Sequence, residues 1–353
     1  MDIDITKLEQ KMNYLINKIV SCKSVTEYRY IVSTLRTLND LYKELCGNYY
    51  KVDTRGNQFY NKYIENDSKK IINTRINNCF LDNEYNSLLA FKLLKIYYNS
   101  EFLDYMISIN EEHLKINYFL DIIYSFANSY DNKFYNILKE MINDKKIAVR
   151  NSGRDSTFNL IYDRDSYILM SMPYTIDSAG ALIHEIGHVY SNRMLSDRSK
   201  SQMYNDEKSF YEFYSEYVEL LFYDYIRKNN IKYRDSLFSE NAFLASLEYF
   251  LVDLYDSHEF KNLNLNNDTL DVISEAYVYS YGMLLAIEMV DRYYEDKKDI
   301  TTRCNNFLYM QGLQNSYEEL NTLGITKDEL IKGNALKKRI ERHNNDIKNL
   351  FLK

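Results

Sequence analysis

Residues 181–191 read Ala-Leu-Ile-His-Glu-Ile-Gly-His-Val-Tyr-Ser, and the spacing of His184, Glu185 and His188 in that run decides how the rest of the chain is read. Leu182, Ile183 and Ile186 keep the run apolar between its polar positions, and Asp177 or Ser178 offers an N-cap upstream, so the stretch is a capped, core-facing helix. On a helix, side chains four apart leave from one face, so both imidazoles can reach one Zn²⁺ at about 2.0–2.1 Å. Glu185 lies beside them, placed to take a proton from a water that the metal has made acidic, the arrangement that generates a nucleophile for peptide hydrolysis. With five histidines in the chain, coincidence produces this pattern in roughly one such sequence in 200.

Working outward, residues 147–175 (IAVRNSGRDSTFNLIYDRDSYILMSMPYT) hold β-branched and aromatic residues around a Ser-Gly-Arg-Asp turn, which fits two or three short strands. Pro173 has no amide for a ladder, so the run ending SYILMSM stops there. Everything else has helical periodicity. Leu8, Met12, Leu15 and Ile19 mark one face of an N-terminal helix, and Thr6/Glu9, Ser24/Glu27 and Thr326/Glu329 fit the capping box. The pattern breaks near Gly47 and around Asp67. One proline and nine glycines in 353 residues are too few for turn-rich sandwiches or propellers. The expected architecture is mostly α and two-lobed, of the zincin type, with a small β element before the zinc-binding helix. An N-terminal helical lobe would cover residues 1–145 and a catalytic lobe residues 146–353.

A catalytic zinc site needs a third protein ligand and leaves its fourth position for water. The histidine and glycine that a metzincin places after the motif are absent, Ser191 and Met194 standing there instead, and no cysteine is near. A carboxylate remains. Residues 209–225 (SFYEFYSEYVELLFYDY) carry Glu212, Glu216 and Glu219 at i, i+4 and i+7, an acidic stripe on a helix whose other faces are bulky and apolar. Such a helix is largely buried, and buried carboxylates need partners.

These residues resemble the zinc oligopeptidases related to thimet oligopeptidase and oligopeptidase F. That family carries H-E-x-G-H and, about 25 residues later, a second helix with the pattern E-x-x-S-x-x-x-E. Here HEIGH is followed by Glu212, Ser215 and Glu219 at that spacing. The resemblance implies one zinc per chain on His184, His188 and Glu212, with Glu219 orienting a metal-binding histidine and Glu216 beside it. It implies that the strand Tyr167, Ile168, Leu169, Met170 and Ser171 is an edge strand pairing with the substrate backbone, after a glycine-containing stretch here represented by Gly153 to Phe158, whereas the residues alone fit an ordinary core strand equally well. It also implies that a tyrosine of the segment EAYVYSYGMLLA, among Tyr277, Tyr279 and Tyr281, stabilises the oxyanion. A histidine expected shortly before that segment is missing, Leu270 lying near its place, and family members run to about twice this length.

The expectation is therefore a zinc-dependent metallopeptidase acting on short or unstructured peptides, with Glu185 as base. Two other readings compete. A toxin-type zinc endopeptidase resembling the lethal factor catalytic domain would use Glu216 as the ligand. A non-catalytic zinc-containing peptide-binding module would not need Glu185. The net charge of −7 opposes nucleic-acid binding. No apolar run approaches a membrane span, the N-terminus lacks a secretory h-region, and Cys22, Cys46, Cys79 and Cys304 are scattered as reduced thiols would be, so a cytoplasmic location is expected.

Overall fold

The computed structural model describes residues 5–46, 83–102, 112–150, 155–160, 165–195, 210–256, 267–311 and 316–351. The expected breaks near Gly47 and Asp67, and residues 151–154 of the glycine-containing stretch, lie outside them. The fold is mostly α with one small sheet, as the glycine and proline counts require. Backbone contacts divide the chain into two units, Met1–Glu65 with Glu112–Arg193, and Asn66–Glu111 with Met194–Lys353. This differs from a single cut at residue 145, because the strands and the motif helix cluster with the N-terminal helices.

In the first unit, α1 (Ile5–Ser21) and α2 (Val25–Cys46) form a helical hairpin. Leu8, Met12, Leu15 and Ile19 are all buried, as their spacing predicts. Ser24 Oγ accepts from the Glu27 amide and the Glu27 carboxylate from the Lys23 amide, so the second capping box forms one residue off its ideal register. Thr6, expected to open α1, lies inside it. Next come α4 (Ile116–Tyr130), α5 (Asn132–Asn143), β1 (Ile147–Arg150), β2 (Ser156–Leu160), β3 (Asp165–Ser171) and α6 (Ile176–Met194), with α3 (Asn83–Asn99) belonging to the second unit. The sheet order is β1-β3-β2, with β3 parallel to β1 and antiparallel to β2. Helix α2 packs on β1 and β2, and Arg36 donates to Ser156 Oγ at 2.8 Å, which explains why the sheet joins this unit.

The sheet corrects one expectation. Tyr167, Ile168, Leu169, Met170 and Ser171 lie on the central strand, Ile168–Ser171 pairing with β1 and Asp165–Leu169 with β2, so among the described residues β3 is not an edge of the sheet. Its unbroken apolar run signals a strand buried on both faces. The outer edges belong to β1 and β2.

Helix α6 starts earlier than expected. Thr175, not Asp177 or Ser178, is the cap: the Ser178 amide donates to Thr175 Oγ1 at 3.1 Å while the Thr175 amide donates to Ser178 Oγ at 2.7 Å. At its other end Arg193 grips Glu140 of α5 through two 2.7 Å bonds, and Lys146 pairs with Asp165 at 2.6 Å, fastening α5, β3 and α6 together. The Arg193 guanidinium holds the Glu140 carboxyl below its ordinary range.

The second unit contains α3, α7 (Phe213–Lys228), α8 (Tyr233–Asp256), α9 (Asn267–Tyr293), α10 (Lys297–Met310), α11 (Ser316–Leu323), α12 (Lys327–Lys332) and α13 (Asn334–Phe351). Helices α7 and α8 both pack along α9, and α3 and α13 pack on α8. The capping box at Thr326 and Glu329 forms and opens α12. Gly333, left-handed at φ 59°, then breaks the run before α13, so the box does not open the final helix directly.

A buried ionic cluster holds α7, α8 and α13 together. Arg227 contacts both Asp224 and Glu240, Arg339 reaches Glu240 at 2.6 Å and Asp224 at 3.3 Å, and Arg342 reaches Asp224 at 2.9 Å. His343 completes it between Glu240 and Asn241. Removing one member of such a cluster strands a buried charge and costs about 3–5 kcal/mol.

Candidate metal centre

Helix α6 is buried on nearly every side. Leu182, Ile183, Ile186, Val189 and Tyr190 are each at most 2% exposed, and His188 is 5% exposed while His184 is half-buried. That enclosure fixes the helix about its axis and aims the motif face. The His184 and His188 rings lie 4.9 Å apart, centroid to centroid, as one helical turn dictates. Glu185 is 7% exposed, and its Oε2 meets no hydrogen-bond donor among the described residues.

Helix α7 carries the acidic stripe. Glu212 stands at its N-cap with helical backbone angles, Glu216 follows in the first turn, and both are nearly buried. Glu219, one turn on, accepts from the Tyr223 hydroxyl at 2.7 Å. Before Glu212 the chain turns sharply. Phe210 is 1% exposed with φ 54°, a left-handed conformation that a bulky residue adopts only under constraint.

His184 and His188 lie on α6 of the first unit, and Glu212, Glu216 and Glu219 on α7 of the second. His184, His188 and Glu212 are one set of side chains that could hold a metal ion, and His184, Glu216 and Glu219 another. Only the first uses both histidines of the motif. Two imidazoles and a carboxylate are a donor set suited to a divalent transition-metal ion.

The three tyrosines of α9 have different surroundings. Tyr281 is fully buried, its hydroxyl donates to Asn86 Oδ1 of α3, and burial holds its pKa well above the ordinary value. Its hydroxyl thus joins α9 to α3. Tyr277 is 2% exposed. Tyr279 is half-buried and stacks on Phe250 of α8, with centroids 5.0 Å apart and planes 12° from parallel. Leu270 lies within the span of α9.

Three contributors were not read from the sequence: Thr157, whose hydroxyl bonds the Glu185 carbonyl, Asn86, and Gly282, which α9 presents to Glu212. Gly282 alone left a signal, as a glycine inside a helical apolar run.

The fold is that of the mostly α oligoendopeptidase F-type proteins. The chain superposes on a Bacillus anthracis str. Ames structure provisionally named an oligoendopeptidase F with TM-score 0.52 and 10% identity, 98% of each chain being covered. A Chlamydophila abortus protein, provisionally named a peptidase, matches at TM-score 0.51 and 15% identity over 97% of this chain, which spans 62% of that longer protein. PZ peptidase A, solved with an inhibitor, matches at TM-score 0.50 and 12% identity over 96% of this chain and 75% of its own. No protein-family model and no curated protein sequence matches the chain. Among the described residues no helix is long and apolar enough to cross a membrane.

Proposed function

We propose that this chain is a zinc-dependent peptidase that cleaves short or unstructured peptides. What supports the reading is the donor set that His184, His188 and Glu212 offer to a metal ion, with the buried Glu185 carboxylate next to His184 in the chain. A buried carboxylate oxygen without a donor is costly and calls for a role. The likeness in fold to proteins named as peptidases agrees with it.

Zinc bound by these three residues would supply Lewis acidity to the scissile carbonyl and raise the acidity of an attacking water. Glu185 takes that water's proton and delivers it to the leaving amine. Tyr279, the half-exposed member of its segment, donates a hydrogen bond to the developing oxyanion. Glu219 and Glu216 orient His184, whose donor atom they approach. An extended substrate adds its backbone to the outer edge of β2, since β3 lies between β1 and β2. This edge pairing is insensitive to side chains and suits peptides of varied sequence.

Cleavage of quenched fluorescent peptides, with and without a chelator and after zinc is restored, tests the proposal. Chelator-sensitive cleavage that disappears in Glu185→Gln supports it. Zinc retention with no cleavage of any peptide would favour a binding module, and chelator-resistant cleavage would remove the metal from the reaction.

A further inference from the structure

Helix α9 approaches the start of α7 more closely than any side chain would permit. A Cβ built on Gly282 would lie 2.8 Å from Glu212 Cβ, 3.2 Å from the Glu212 carbonyl carbon and 3.2 Å from the Phe213 amide nitrogen. The first separation is one that real side chains do not adopt, and the other two involve backbone that cannot swing aside. Gly282 is therefore the contact surface on which the Glu212 backbone rests.

The same turn is held from other directions. The Tyr281 ring lies against Phe210 at 5.5 Å, with Tyr281 itself anchored to Asn86. The Gln311 amide donates to the Phe210 carbonyl at 3.4 Å, and the Phe213 ring meets Phe307 edge-on at 5.1 Å. The Phe213 amide donates back to the Phe210 carbonyl at 3.1 Å, closing the turn. A left-handed phenylalanine is strained and persists only where its surroundings over-determine it. Here they do, and the residue two positions later is Glu212.

We propose that Gly282 is a positioning residue for the metal centre: lacking a side chain, it lets α9 lie flush against the Glu212 backbone and fixes the carboxylate in its binding geometry, with Gln311 bracing the preceding turn. The inference rests on the zinc reading above. Helix packing alone would explain a glycine here, but it predicts only a change in stability. A positioning role predicts a change in metal affinity that passes through Glu212 and no other ligand.

Zinc affinity by chelator competition, measured together with thermal unfolding, separates the two. Gly282→Ala is expected to fold, to melt lower, and to bind zinc about 10–100-fold more weakly, the loss typical when a ligand's support is removed. In a Glu212→Gln background the same substitution should change zinc affinity little, because the ligand it positions is already gone. Gln311→Ala, a milder change on the other side of the turn, should weaken zinc several-fold. Wild-type affinity in folded Gly282→Ala, or full additivity with Glu212→Gln, overturns the proposal; if Gly282→Ala does not fold, wild-type affinity in Gln311→Ala overturns it. A wild-type protein that binds no zinc, or a Glu212→Gln variant that binds it normally, would instead sink the zinc reading itself.

Discussion

Thr157 Oγ1 donates a 3.0 Å hydrogen bond to the main-chain carbonyl of Glu185, so β2 is fastened to α6 at the residue proposed to move the proton. A carbonyl oxygen has two lone pairs, so a mid-helix carbonyl can accept this bond without losing its place in the helix ladder. The bond sets the distance between the outer strand and the motif helix. Thr157→Val keeps shape and removes the donor. It should cost about 1 kcal/mol of stability and raise KM for extended peptides more than it lowers kcat. Denaturation curves and steady-state kinetics check it, and an unchanged KM would show that β2 does not meet substrate.

Tyr279 and Tyr281 should respond to loss of a hydroxyl in opposite ways. Tyr281→Phe leaves Asn86 without its buried donor and should lower stability by about 1–3 kcal/mol while kcat stays close to wild type. Tyr279→Phe, at a half-exposed ring stacked on Phe250, should lower kcat by about 10² to 10³ and leave the melting temperature nearly unchanged. Paired melts and kinetics of the two variants decide it, and wild-type kcat in Tyr279→Phe would make the segment packing alone.

Much of this arrangement was legible in the sequence, and the parts that were not share a cause. Short-range rules govern the HEIGH helix, the acidic stripe of α7 and the box at Thr326, and these formed where local spacing put them. The resemblance makes the strand Tyr167–Ser171 an edge, and periodicity cannot correct it, because it says how a strand is buried and not which neighbours flank it. Strand order depends on a parallel pairing with β1 that no local pattern encodes. The division of the chain escaped for the same reason, since α2 reaches the sheet across more than a hundred residues. The engagement of the Tyr281 hydroxyl is not legible in the sequence either, because its partner Asn86 sits on α3, nearly two hundred positions away.

Glu212 and Glu216 offer the metal two registers. Both are nearly buried on α7, but only Glu212 groups with His184 and His188 together. Glu212→Gln should lose zinc affinity by well over the 10–100-fold expected for an orienting residue, with activity falling in step. Glu216→Gln should retain the metal and much of its rate, and Glu219→Gln should fall between them. Tight zinc in Glu212→Gln with loss in Glu216→Gln would favour the toxin-like register.

Glu288 and His343, both in the second unit, should set the acid side of the stability profile, with opposite signs. Burial raises the Glu288 carboxyl from its ordinary 4.5 to about 7, Asp291 and Glu329 adding to the effect and Arg292 opposing it. Between those values the native state holds a proton that the unfolded chain has released, so stability falls as pH rises from about 4.5 to about 7. Burial, with Arg227, Arg339 and Arg342 close by, lowers His343 from its ordinary 6.5 to about 3, although Asp346 pulls the other way. There the unfolded chain holds the extra proton, so stability rises with pH from about 3 to about 6.5. Over the shared range the two slopes, each about 1.4 kcal/mol per pH unit, nearly cancel. Urea unfolding of the wild type should thus be close to flat there, whereas Glu288→Gln should lose stability steadily as the pH is lowered through it. An equally flat profile in Glu288→Gln would show that the native carboxyl titrates near its ordinary value and that the groups around it, not its burial, govern its charge.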